Sequence, residues 1–258
     1  MKRHTTLVTG ASSGIGEALA LALGARAAHI VLVARSVERL QVLKCRIEEA
    51  GGSATVIVSD LSQPGAAQRL HEEVLRQGLE VDTLVNNAGF GYHGNFEDES
   101  VEHLLAQIQV NVVALAELTR LFVPALLARR GAVLNIASTV AFQPAPYMST
   151  YGATKAFVLS FTEALWAEYR DRGLRATAVC PGPVETPFID AMGSGVRGTP
   201  LFSRTLSVDE VVHACLAALE SSSPTRVVGW RNALAAQSAR LSPRALTARI
   251  SAGLLRPR

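Results

Sequence analysis

Cysteine is scarce: the 258 residues include only Cys45, Cys180 and Cys215, too few and too scattered for a disulfide framework or a zinc site. A reduced compartment, and with it a cytoplasmic location, follows as an expectation. No cluster of metal-ligand residues is present, so no metal is expected. Long runs of one charge are lacking too. The formal net charge is +3 and the pI about 9.0, which argues for an enzyme with ordinary surface charge and against nucleic-acid binding. No Pro/Gly/Ser-rich linker and no internal repeat divides the chain, so one domain is expected. The start, "MKRH" ahead of an apolar stretch with "ALALALGARA", has a superficial signal-peptide look. Gly10, Ser12, Ser13, Gly14, Gly16 and Glu17 suit a phosphate loop better, and Arg26 and His29 interrupt any membrane-spanning run.

What is abundant is apolar: 48% of residues are hydrophobic and 18% charged, enough for a substantial core. Apolar runs alternate with helical patterns from end to end. "TTLVTG", "HIVLVAR", "ATVIVSD", "VDTLVNNAG", "AVLNIAS", "RATAVCPG" and "RVVGW" read as strands. Helices are predicted over residues 15–27, 37–50, 65–77, 101–128, 151–170 and 207–220, the last opened by a capping-box pattern at Ser207. Continuous apolar strands alternating with helices predict an α/β fold: a Rossmann-like, doubly wound parallel sheet of about seven strands. Residues 184–206 break the rhythm as a Gly- and Pro-rich stretch of lid or binding-loop type. Residues 1–230 are thus expected to form one α/β domain that includes this stretch. Residues 231–258, with six arginines and no acid, form an appended pair of short helical pieces split by Pro243.

The first strand runs into "TGASSGIG", residues 9–16. Gly10, Gly14 and Gly16 let the backbone turn tightly and approach a pyrophosphate, while Ser12, Ser13 and Ile15 lead into a helix whose free N–H groups favour an anion. The spacing is GxxxGxG rather than GxGxxG, and its place between first strand and first helix is what gives it weight. The second strand ends "LVARS". Ala34 supplies no carboxylate for ribose hydroxyls, and Arg35 can fork onto the 2′-phosphate of NADP(H), with Ser36 and Ser12 as further donors. The alternative is a solvated strand-end arginine. Asp60, with the Leu61 backbone beside it, can accept from an adenine amino group or serve as a turn aspartate, and the roles can coexist. "NNAG" at 86–89, with Asn87, Ala88 and Gly89, ends the fourth strand with small residues that admit a ligand. Asn111 lies on the apolar stripe of the long helix among Leu104, Ile108, Leu115, Leu118 and Phe122. It is either a satisfied core amide or the holder of a water or a backbone kink near a site. Ser138 ends the fifth strand, and Pro181 and Gly182 end the sixth.

"YGATK" then places Tyr151 and Lys155 four residues apart, on one helical face. A lone YxxxK is a common accident of helix surfaces. Here it follows Ser138 at the strand-end edge where ligands of open α/β sheets bind. A nearby ammonium favours a phenolate, so Lys155 is expected to draw the tyrosine pKa down toward working pH. The small Gly152-Ala153-Thr154 spacer is read as room for a nicotinamide.

Over about residues 5–230 the chain resembles the short-chain dehydrogenase/reductase family in its single-domain branch, on "TGASSGIG", "NNAG", Asn111, Ser138, "YGATK" and "PGPVET" in order. The resemblance implies a tetrad: Tyr151 as the proton donor or acceptor, Lys155 tuning it and holding the nicotinamide ribose, Ser138 orienting the substrate oxygen, and Asn111 positioning a relay water. It implies that residues 1–230 are a dinucleotide-binding catalytic domain with 184–206 as its substrate loop, and that Thr186 and the backbone near Val184 bind the carboxamide. "LVARS" is similar to the NADP(H)-preferring members, although Ser13 stands where many of those carry Lys or Arg. It also implies a homodimer or homotetramer through helices 101–128 and 151–170.

The segments "AFQPAPYM" (141–148) and "FIDAMGSGVRGTPLF" (188–202) are apolar and aromatic. With Ser138, the substrate-contact candidates are Phe90, Tyr92, Phe142, Tyr147 and Phe188, with His93 nearby, and a lipophilic or bulky ketone is the expected substrate. The plain alternative is that these side chains only pack a lid. The arginine-rich tail reads as a subunit contact, a solvated helix pair or a basic surface for anionic membrane, in that order. The rival to an enzyme is a non-catalytic nucleotide-binding sensor or scaffold on the same fold.

Overall fold

The computed structural model describes residues 4–193 and 195–257. Its centre is a seven-stranded sheet, all parallel, built from β1 (Thr5–Thr9), β2 (His29–Ala34), β3 (Ser53–Val58), β4 (Thr83–Asn86), β5 (Ala132–Ile136), β6 (Arg175–Cys180) and β7 (Thr225–Val227) in the order β3-β2-β1-β4-β5-β6-β7. The chain winds outward from β1 to β3, then returns to β4 on the other side of β1. That reversal opens a crevice beyond the strand ends between β1 and β4.

Alternate strand residues feed opposite faces, as the two-residue period of a strand requires. Val8, Ile30 and Leu32 join a core under α1 (Gly14–Gly24), α2 (Val37–Glu49) and α8 (Val208–Glu220). Leu7, Val31 and Val33 join a core under α3 (Ala66–Arg76) and α5 (Leu115–Ala128). With both faces covered, β1 and β5 are buried along their whole length, which explains their unbroken apolar runs. The next helix, α6 (Ser149–Tyr169), packs on β6 with Val158 and Leu159 in a further apolar cluster.

The predicted long helix is not uniform. It runs as α4 (Val101–Ile108), a π-helical turn over Gln109–Ala114, and α5. The stretch Val101–Ala128 is long and apolar enough to cross a bilayer, but half of its most apolar window is buried within the protein. Two other elements differ from expectation. The last strand stops at Val227, because Gly229 adopts φ +85°, and Trp230 starts a helix instead. The 184–206 stretch, where described, is more ordered than a loop. It holds α7 (Pro187–Ala191) and 3₁₀ turns at Val196–Gly198 and Pro200–Ser203. The tail forms α9 (Trp230–Leu241) and α10 (Arg244–Leu255), divided at Pro243.

Candidate active site

β1 passes into Gly10 at φ +65°, where a Cβ would sit 2.8 Å from Ala88 Cα, so glycine is required twice over. A Cβ on Gly16 would run into the Gly10 carbonyl and the Asn87 amide. The fit comes from Asn87, whose Nδ2 donates to the carbonyls of Thr9 (2.9 Å) and Gly10 (3.2 Å). Thr9 returns the favour: its hydroxyl oxygen accepts from the N–H groups of Asn87 and Ala88, both at 3.0 Å. "NNAG" is therefore a brace on the glycine loop. Gly16 serves that packing and stays behind the cleft wall, whereas Gly10, Ser12, Ser13, Gly14, Ile15, Asn87, Ala88 and Gly89 all line the cleft. Ser13 is the N-cap of α1 but makes no side-chain cap bond, leaving the helix's first N–H groups free for an anion at the cleft.

Arg35 lines the same cleft from the end of β2 and is exposed. Asp60 lies across from it. Burial works to raise the Asp60 pKa, but bonds from the Ser62 hydroxyl (2.7 Å) and N–H (3.0 Å), with smaller help from Gln63 and the Arg35 charge, hold it below the ordinary value. Asp60 and Leu61 thus line the cleft while Asp60 also closes a turn. Ser36 does not line it. Its hydroxyl caps α2, accepting from Arg39 N at 3.5 Å and donating to Glu38 at 3.2 Å, so its predicted place beside the phosphate is not where the chain puts it.

Ser138, Tyr151 and Lys155 meet at the opposite end, all buried and all lining the cleft. Lys155 Nζ donates to Ile136 O at 2.8 Å and stands 5.7 Å from the centroid of the Tyr151 ring. Burial pushes the Tyr151 phenol well above its usual range, with the Ser138 hydroxyl acting weakly against the rise. The same burial lowers the Lys155 ammonium to about 8, opposed by the Cys180 sulfur. Contrary to the expected lowering, desolvation dominates the tyrosine among the chain's own groups, and the Ser138 hydroxyl rather than Lys155 is what opposes it. The spacer reading also changes. A Cβ on Gly152 would lie 2.8 Å from Ala145 Cβ, so its smallness serves helix-to-loop packing. Gly89 is the residue that leaves room here: its Cβ would stand 3.0 Å from Asn111 Oδ1 and 3.5 Å from Lys155 Nζ.

Asn111 sits inside the π turn, nearly fully buried, and does not line the cleft. Its Nδ2 donates to Phe90 O (2.9 Å) and Thr154 Oγ1 (3.1 Å), while its Oδ1 accepts from Phe90 N (3.2 Å). It clamps the strand-end backbone to α6, and the widened turn is where that amide finds its partners. Thr9 and Thr154 carry these braces; as common helix and strand residues they gave no signal in the sequence.

At the far end Pro181, Gly182, Val184 and Thr186 line the cleft, and Thr186 Cγ2 comes within 3.2 Å of where a Gly14 Cβ would be. Phe90 and Phe188 face the cavity, the latter with its ring centroid 5.7 Å from that of Tyr151. Val140, Met148, Ile189, Met192, Leu201 and Phe202 complete an apolar wall. Three aromatic candidates lie elsewhere. Tyr92 packs edge-on to His103 at 5.9 Å, Phe142 lies under the Arg240 guanidinium at 5.3 Å, and the Tyr147 hydroxyl accepts from Arg256 at 3.3 Å. His93 also turns away from the cavity, its Nε2 meeting Leu255 O at 2.7 Å. Among the described residues no group of three or more His, Cys, Asp or Glu side chains is placed to hold a metal.

A family model described as short chain dehydrogenase matches residues 4–196. The chain is 31% identical over 228 residues to an uncharacterized oxidoreductase of Staphylococcus epidermidis, covering 88% of this chain and 95% of that one. It is 36% identical over 186 residues to 17-beta-hydroxysteroid dehydrogenase type 3 of Rattus norvegicus, covering 70% of this chain but 60% of that longer one. A solved short-chain dehydrogenase of Sphingobium yanoikuyae in complex with NADPH superposes with a TM-score of 0.82 at 33% identity, over 92% of this chain and 94% of that one. The chain belongs to the short chain dehydrogenase family of oxidoreductases.

Proposed function

We propose that the protein is an NADP(H)-dependent oxidoreductase that interconverts a carbonyl and a secondary alcohol on a bulky, apolar substrate. The observation that carries this reading is the convergence of Ser138, Tyr151 and Lys155 in the cleft that the glycine loop and Arg35 also line. The residues fit a dinucleotide. The uncapped N-terminus of α1 would take the pyrophosphate, Asp60 the adenine end, and Arg35, which no carboxylate hydrogen-bonds among the described residues, the 2′-phosphate. When bound, the nicotinamide supplies or takes the hydride.

The chain supplies the proton. Ser138 orients the substrate oxygen, and the Tyr151 phenol donates its proton to that oxygen in reduction or takes it back in oxidation. Lys155, charged at neutral pH, offsets the negative charge that then develops on the phenol and would hold the ribose hydroxyls of a bound cofactor. Asn111 acts through others, holding Phe90 and Thr154, and thereby α6, in place. The apolar wall from Met148 to Phe202 favours a lipophilic ketone, a class consistent with the steroid enzyme among the relatives.

The test pairs binding with turnover. NADPH is expected to bind more tightly than NADH, and Arg35→Ala should erase most of the difference. Tyr151→Phe should keep NADPH affinity while losing on the order of 100-fold or more in ketone turnover. Undiminished turnover in Tyr151→Phe would sink the mechanism. Tight NADPH binding with no turnover of any carbonyl or alcohol would favour the nucleotide-sensing scaffold.

A further inference from the structure

The tail matches no part of the machinery above, yet its last helix ends against it. Leu255, 2% exposed, belongs to the same apolar cluster as Tyr151, Met148, Ile189 and Met192. α10 also packs on the 3₁₀ turn Pro200–Ser203, whose Leu201 and Phe202 line the cleft. The final carbonyls of a helix have no partner within it. Here the Leu255 carbonyl accepts from the Nε2–H of His93 at 2.7 Å, with the ring 5% exposed. A carbonyl only accepts, so this nitrogen carries the proton. The His93 backbone N–H meanwhile donates to Met192 O at 2.9 Å, and the next residue, Gly94, donates to Tyr147 O at 2.9 Å.

We propose that His93 is a positioning residue that ties the end of α10 to the loop after β4 and to the 188–203 segment, so that the C-terminal helix backs the substrate wall and sets which carbonyl compounds it accepts. Leu255 does not line the cleft; it acts through Met192, while α10 acts through Leu201 and Phe202. The inference rests on the oxidoreductase reading only where substrate is concerned, since the tie is a property of the chain.

Three full-length variants test it. His93→Leu keeps bulk but cannot donate, His93→Gln can still donate to the Leu255 carbonyl, and Leu255→Ala leaves the bond but empties the packing. Amide hydrogen exchange over residues 188–203 should quicken about tenfold or more in His93→Leu and Leu255→Ala, stay near wild type in His93→Gln, and remain unchanged over residues 5–16 in all three. KM for a bulky ketone should rise about tenfold in the first two with kcat little changed, and NADPH affinity should hold. Wild-type exchange in 188–203 for both His93→Leu and Leu255→Ala would overturn the proposal. So would equal loss in His93→Gln and His93→Leu. If the wild type turns over no carbonyl compound, the exchange data still decide the tie, and that failure falls on the functional reading alone. Should His93→Leu not fold, the exchange rates of Leu255→Ala and His93→Gln decide the tie: wild-type exchange in the first, or tenfold faster exchange in the second, overturns it.

Discussion

Replacing Lys155 with methionine removes a charge that the fold holds at a cost. The ammonium is 5% exposed, and burial lowers its pKa from 10.5 to about 8. At about 1.4 kcal/mol per pH unit, that is about 3 kcal/mol of destabilisation at neutral pH, where the folded and unfolded lysines are both charged. Methionine has similar length and no charge, but it leaves the Ile136 carbonyl without its 2.8 Å donor, a loss of about 1–3 kcal/mol. The two effects nearly balance at pH 7, with the variant between equal to wild type and about 2 kcal/mol more stable. The decisive quantity is the pH dependence. Between pH 8 and 10.5 the unfolded lysine keeps its proton while the folded one has lost it, so wild type gains stability as pH rises through that window. The variant has no such gain. Its advantage should therefore fall by about 3 kcal/mol between pH 7 and pH 10.5. Tyr151 titrates in both proteins and largely drops out of the difference. Urea unfolding of both chains from pH 7 to 10.5 reads this directly. A stability difference that does not change with pH, or that grows in favour of methionine, would refute the account of Lys155 as a desolvated ammonium.

Two further substitutions probe the braces of the site. Gly16→Ala puts a methyl group into the Gly10 carbonyl and the Asn87 amide, so thermal melting should show a loss of about 1–3 kcal/mol, and fluorescence titration should show weaker NADPH binding. Asn111→Leu leaves the Phe90 N–H and C=O unpaired in the interior, a loss of about 2–5 kcal/mol by urea unfolding; a neutral result there would mean that the π turn does not depend on this amide.

The strand-end edge was legible because its chemistry is local. Gly10 and Gly16 answer to contacts made within the turn and with the end of the adjacent strand, and periodicity alone placed that turn between β1 and α1. Arg35, Ser138, Tyr151 and Lys155 then fall on one edge by the topology of the sheet. The aromatic residues were not legible in the same way. The partners that turn Tyr92, Phe142 and Tyr147 away from the cavity are His103, Arg240 and Arg256, two of them in a tail that no local pattern connects to residues 141–148. The π turn left one trace, an asparagine on an apolar stripe, because one extra residue in a turn barely disturbs a helical pattern.

The opposite shifts of Tyr151 and Lys155 have one cause, and it sets the resting protonation state of the site. A desolvated site penalises whichever form is charged, so the phenol rises and the ammonium falls. At neutral pH the chain's own groups therefore leave the proton on Tyr151 and the charge on Lys155. That is the state a proton donor needs before it meets a carbonyl oxygen. Ionising the phenol first, as alcohol oxidation requires, works against the burial that the apolar wall of Phe188 and Met192 imposes. Donation to a carbonyl oxygen leaves a phenolate in the same desolvated site, so burial fixes the resting proton on Tyr151 without favouring either direction, and the Lys155 ammonium, 5.7 Å from the ring centroid, is the group placed to offset that charge.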